Sequence, residues 1–119
     1  MVVRSTELSD AEIDAVFHSL ADRTRRDIVA QVVQREQSVS DLAERYAMSF
    51  TAVQKHVTVL ERASLVHKRR DGRRQIVSAD REQLQRAQAL LDEYERLWRQ
   101  RTDQIASILA ETPPEGATP

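Results

Sequence analysis

Cysteine is absent from the 119 residues, which excludes disulfides and thiolate metal sites and leaves the chain compatible with a reducing compartment. Two glycines and three prolines are too few turn residues for a strand-rich fold, so the chain should be mainly helical. Aromatic residues make up 4%, which gives no stacking platform for single-stranded RNA. No apolar run approaches the roughly 18 residues of a membrane span, and the opening MVVRSTELSD lacks a signal-type hydrophobic core. A soluble cytoplasmic protein is expected. Enzyme signatures are also missing: there is no Cys nucleophile, no Gly-rich phosphate loop and no locally spaced Ser-His-acid set. What remains, at 40% hydrophobic and 31% charged, is the composition of one globular domain.

Helix signals follow one another from residue 9. Ser9-Asp10-Ala11-Glu12 reads as a capping box ahead of Ile13, Val16, Phe17 and Leu20 at helical spacing. Asp22 can cap a second helix with an apolar stripe of Ile28, Val29, Val32 and Val33. Ser38 or Ser40 opens a short third helix carrying Leu42, Ala43 and Tyr46. After a break at Ala47-Met48, Ser49 is positioned to cap a fourth helix reaching about Ala63.

The charge of the chain is unevenly placed. Ser49 to Val77 holds Lys55, Arg62, Lys68, Arg69, Arg70, Arg73 and Arg74 against Glu61 and Asp71, a local excess of +5 in a chain of net −1. On the fourth helix Phe50, Val53, Val57 and Leu60 fall on one side and should face the core. Thr51, Lys55, Thr58 and Arg62 fall on the other, flanked by Ala52, Gln54 and His56. Such a face suits a DNA groove, and equally a solvated surface. The segments flanking Asp71-Gly72 read as a β-hairpin with those two residues as its turn. Lys68, Arg69, Arg70, Arg73 and Arg74 then surround the tip, more cations than discouraging strand aggregation requires. A basic hairpin beside a helix-turn-helix is placed to touch phosphates flanking a groove. The alternative, a winged-helix module for protein–protein contact, expects a neutral or acidic helix and no basic wing.

From Asp80 one long helix runs to about Glu111, where Pro113-Pro114 follows. Leu84, Ala87, Leu91, Tyr94, Trp98, Ile105 and Ile108 keep a 3/4 spacing interrupted at Arg101. Some 30 residues make a rod of about 45 Å, longer than so small a domain covers. The exposed remainder is expected to form a homodimer interface through Leu84, Leu91, Tyr94, Trp98 and Ile105, joined by Val16 or Phe17 of the first helix. The expected layout is an N-terminal arm over 1–9, a DNA-binding and dimerisation domain over 10–111, and a disordered tail over 112–119.

In order and spacing, FHSLADRTRRDIV, AERYAMSFTAVQKHVTVLERASLV and HKRRDGRRQIV resemble the ArsR-type (ArsR/SmtB) winged helix-turn-helix transcriptional regulators, whose usual opening is FxALADPTRRxIL. The likeness covers about residues 10 to 110. It implies a winged helix-turn-helix fold, mainly α with a small β-hairpin wing and a long C-terminal dimerisation helix. It also implies a homodimeric DNA-binding regulator, most often a repressor, acting on a near-palindromic operator. Carried onto this chain, the DNA-reading positions are Ser49, Thr51, Ala52, Gln54, Lys55 and His56, and the wing positions are Arg70, Gly72, Arg73 and Arg74. Ala63-Ser64-Leu65 stands where the family often has Ala-Gly-Leu, which should strain the helix end slightly. Metal-sensing members carry Cys-x-Cys where this chain has Ser38-Val39-Ser40, and hydroxyls are poor ligands for soft metals. His18, His56 and His67 are scattered, and none follows on the last helix, so neither a metal nor another cofactor is expected. The resemblance is to the metal-independent subgroup, whose inducing signals are diverse.

Overall fold

The computed structural model describes residues 7–111; the expected tail at 112–119 and most of the arm at 1–9 lie outside the described residues. The order of elements is α1 (Asp10–Leu20), α2 (Arg23–Gln34), β1 (Gln37–Ser38), α3 (Val39–Tyr46), α4 (Phe50–Arg62), β2 (Val66–Asp71), β3 (Arg74–Ala79) and α5 (Arg81–Glu111). Two units are distinguished, one ending at Ala87 and the other beginning at Gln88.

Each helix starts where a short polar side chain satisfies a free backbone N–H. Ser9 and Glu12 bond each other's backbone N–H at 3.0 and 3.2 Å, the reciprocal capping box. Asp22 accepts from the Arg25 N–H at 3.0 Å, Ser49 from Ala52 at 3.1 Å and Asp80 from Gln83 at 2.9 Å. Ser38, rather than Ser40, caps α3 by accepting from the Asp41 N–H at 3.0 Å. Two helices stop without glycine in the left-handed region: Ala47 follows α3 at φ 51 and Ser64 follows α4 at φ 60. Behind Ser64, the Leu65 N–H reaches the Leu60 carbonyl at 3.1 Å and the Ser64 N–H reaches that of Glu61 at 2.9 Å, the Schellman pattern.

In the first unit the core gathers Ile28 and Val32 of α2, Leu42 of α3, Val53, Val57 and Leu60 of α4, and Leu65, Val66 and Val77 from the sheet. Val16, expected at an interface, belongs to this core at 1% exposure, because α1 packs against both α2 and α4 on that side. Phe17, one residue on, is 44% exposed, and Val33 at the end of the α2 stripe is also exposed. Phe50, expected in the core, is 49% exposed. It is the first residue of α4, and helical side chains lean toward the N-terminus, so its ring points past the helix start.

The sheet has three strands in the order β1-β3-β2, all antiparallel. The two-residue strand β1 pairs Gln37 with Val77 and Ser38 with Ile76, and is too short to leave a period in the sequence. The hairpin turn lies one residue beyond its expected place: Asp71 pairs with Arg74, leaving Gly72-Arg73 as the turn. Of these two turn residues Gly72 alone has a positive φ, of 64, which is the type II′ pattern with Gly at the first central position. A Cβ there would meet nothing within 4 Å, so the backbone angle rather than space calls for glycine.

One buried polar residue ties the recognition region to the start of α5. Gln83, 2% exposed, donates from Nε2 to the Ala63 carbonyl at 3.1 Å, and its Oε1 accepts from Arg86 at 3.1 Å.

Candidate nucleic-acid interface

The outward face of α4 carries Ser49, Thr51 and Lys55 exposed, with Ala52 and Gln54 half-buried beside them. Nothing among the described residues pairs with the Lys55 ammonium, and Arg62 continues the face at the other end of the helix. The Ser49 hydroxyl is occupied as the cap, so its contribution outward is its own backbone and small size. Gln54 keeps its amide oxygen buried without a hydrogen-bond partner among the described residues.

His56 is directed inward. Its Nδ1 lies 3.4 Å from a guanidinium nitrogen of Arg25 and 3.9 Å from the Asp22 carboxylate. Arg25 in turn donates to the Ser19 carbonyl at 2.6 Å and the His18 carbonyl at 3.2 Å, closing the free end of α1. The Arg25 backbone N–H holds the Asp22 carboxyl below its usual range. His56 is thus part of a brace between α4 and the α1–α2 corner.

The wing cations divide by strand register. Arg69 opposes Ile76 and Asp71 opposes Arg74, placing these four on one sheet face, while Lys68, Arg70, Gln75 and Val77 share the other. On the first face Arg69 makes a two-pronged pair with Glu36 at 2.6 and 2.7 Å, and Arg74 bonds Asp41 at 3.1 Å. The Arg69 hydrogen bonds hold the Glu36 carboxyl below its usual range, and Glu36 raises Arg69 in return. On the second face Lys68 pairs with Glu61 of α4 at 3.4 Å. Arg70 donates only to the Gly72 carbonyl, at 3.4 Å, and the exposed Arg73 has no acidic partner among the described residues. The hairpin therefore presents two uncommitted guanidiniums, not five cations. Glu36, Asp41 and Arg25 carried no local signal in the sequence; the two acids meet their arginines across 33 positions.

In the second unit α5 presents Leu91, Tyr94, Leu97, Trp98, Ile105, Ile108 and Leu109 as exposed large apolar side chains, Trp98 at 65%. The Arg101 guanidinium stacks over the Trp98 ring at 5.8 Å, which explains how a cation sits within the apolar stripe. Leu84 belongs to the first unit and packs, half-buried, against its core. No helix among the described residues is long and apolar enough to cross a membrane.

A recognition helix with a small, polar, basic outer face, followed by a β-hairpin with a basic turn, defines a winged helix-turn-helix DNA-binding protein. Comparison with known proteins agrees. Residues 20–69 match the helix-turn-helix domain family. The chain is 35% identical over 85 residues to the HTH-type transcriptional regulator Rv2034 of Mycobacterium tuberculosis, covering 71% of this chain and 77% of that one. A shorter match to the HTH-type transcriptional regulator KmtR of the same organism, 42% identical over 57 residues, takes in 48% of this chain and 44% of that regulator. An ArsR-like transcriptional regulator from Rhodococcus sp. RHA1 superposes with a TM-score of 0.72 at 32% identity, covering 82% of this chain and 92% of the other. A homodimeric winged helix-turn-helix DNA-binding domain from Mycobacterium bovis, solved by NMR, matches with a TM-score of 0.60 at 25% identity, covering 81% and 91%. The chain belongs to the ArsR family of DNA-binding transcriptional regulators.

Proposed function

We propose that the protein is a cytoplasmic homodimer that represses its own or a neighbouring promoter by occupying a near-palindromic operator. The observation that carries this reading is the pairing of the exposed Thr51–Lys55 face of α4 with a wing whose Arg70 and Arg73 have no acidic partner among the described residues. Residues 10–111 supply both DNA binding and dimerisation. The N-terminal half of α4 enters the major groove, where Ser49, Thr51, Ala52, Gln54 and Lys55 approach base edges. Arg70 and Arg73, around the Gly72 turn, hold phosphates beside it. One helix and one wing span too few base pairs to select a site in a genome, so two copies act together on half-sites about 10–10.5 bp apart.

The exposed stripe on α5 supports the dimer, with Phe17 of α1 as a second apolar element. The homodimeric state of the Mycobacterium bovis domain supports it too. Repression is steric, and any input that changes the separation of the two recognition helices releases the DNA.

The test separates base reading from phosphate holding, on operators recovered by selecting bound genomic fragments. Lys55→Ala should cost roughly 1–3 kcal/mol and relax preference at one operator position. Arg73→Ala should weaken all sequences alike and flatten the salt dependence by about one unit. Identical behaviour of the two variants on operator and random duplexes would refute the division.

A further inference from the structure

We infer that Glu36 and Asp41 are counter-charges built into the wing, which occupy Arg69 and Arg74 with carboxylates and so hold down the affinity of the protein for DNA of any sequence. The inference rests on the DNA-binding reading above and goes beyond it by assigning a function to two acids outside the recognition helix and the hairpin.

The geometry is that of an occupied phosphate site. A guanidinium meets a carboxylate or a phosphate through the same two-pronged fork, and Arg69 meets Glu36 that way at 2.6 and 2.7 Å. Arg74 is held by Asp41 at 3.1 Å. Strand register puts both arginines on one face of the hairpin. The pairing of β1 with β3 then brings the corner that carries the two acids, just before β1 and in the first turn of α3, alongside that face. Together they line a polar cleft of about 310 Å³ whose other charged members are Arg35 and Asp71, three bases against three acids.

All four paired side chains are about half exposed, so the pairs do little for folding. Their effect on a polyanion is larger. Each cation that reaches a phosphate releases condensed counterions and steepens the salt dependence of binding by about 0.9. An arginine already bonded to a carboxylate releases none, and if torn away it leaves that carboxylate facing the DNA backbone. Glu36 and Asp41 thus subtract two phosphate contacts from every complex, specific or not. Lys55 and the bases it meets are untouched, so the proportion of binding that depends on sequence rises.

The isosteric variants Glu36→Gln and Asp41→Asn test this on a random-sequence duplex, with affinity measured by fluorescence anisotropy over a salt series. Each should bind about three- to tenfold more tightly than wild type near 0.1 M salt, with a salt slope steeper by about one. The gain from Asp41→Asn should vanish in an Arg74→Ala background, and that from Glu36→Gln in an Arg69→Ala background. A gain that survives loss of the arginine would overturn the inference, because the carboxylate would then be repelling DNA directly. Unchanged affinity and slope in well-folded variants would overturn it too, leaving the DNA-binding reading intact. A wild-type protein that binds no duplex at all would remove both.

Discussion

Ser64→Gly should stabilise the protein although it removes atoms and makes no new contact. Ser64 lies just past the end of α4 at φ 60, where an L side chain sets its Cβ against the neighbouring carbonyl. That conformation costs about 1–2 kcal/mol for a residue with a Cβ and almost nothing for glycine. Against the relief stands the greater freedom of glycine in the unfolded chain, about 0.4–1 kcal/mol. The hydroxyl of Ser64 is exposed and has no hydrogen-bond partner among the described residues, so no side-chain contact is lost. The net gain is about 1 kcal/mol, or roughly 3–5 °C in Tm for a domain of this size. Thermal melts followed by circular dichroism at fixed protein concentration measure it, with Ser64→Ala as the control that keeps the Cβ. Ala47→Gly, at φ 51 after α3, repeats the experiment at an independent site. The backbone bonds at both helix ends are already in place, so operator affinity should not move. Equal melting points for the Gly and Ala variants at position 64 would refute the argument.

Trp98→Ala should weaken dimerisation by about 2 kcal/mol or more, since large aromatic anchors dominate interfaces, and lower operator affinity without touching the DNA-facing residues. Sedimentation of wild type at micromolar concentration checks the premise, and a monomer binding a palindromic site one to one would sink it. Zinc, cadmium or arsenite titrated into the DNA complex should leave affinity unchanged. A reproducible tenfold release by a stoichiometric metal ion, about 1.4 kcal/mol of coupling, would reverse the reading of Ser38 and Ser40.

Features that depend on residues three or four apart were legible from the chain. Ser9, Asp22, Ser49 and Asp80 act on N–H groups three positions on, so these four helix starts could be read locally, while that of α3 stayed open between Ser38 and Ser40. The strained stop at Ser64 was visible only against the Ala-Gly-Leu of the family that the chain resembles. The buried side of α4 followed from its period at Val53, Val57 and Leu60 but failed at Phe50, where periodicity takes no account of a helix end. Val16 and Phe17 share one apolar stripe, and only the packing of α1 separates the core residue from the exposed one. Asp-Gly announced a turn, yet the ladder places it one residue later, since register is decided by the whole hairpin and its β1 neighbour. The charge count was legible while its pairing was not: a run of arginines does not reveal that Glu36 and Asp41, 33 residues away, already hold two of them.

The bond from Gln83 to the Ala63 carbonyl bears on any attempt to redesign what the protein reads. Grafting a new α4 into a related scaffold treats the recognition helix as an interchangeable cassette. Here its last turn is fastened to a side chain from the first turn of α5, so the angle at which the helix leaves the sheet belongs to both elements. A graft that changes residues 49–56 alone keeps this fastening. One that carries the whole helix through Ser64 into a host with another residue at the position of Gln83 strands a buried carbonyl and tilts the reading head. The smallest transferable unit is therefore α4 together with Gln83, though 20 residues of chain separate the two ends of the bond.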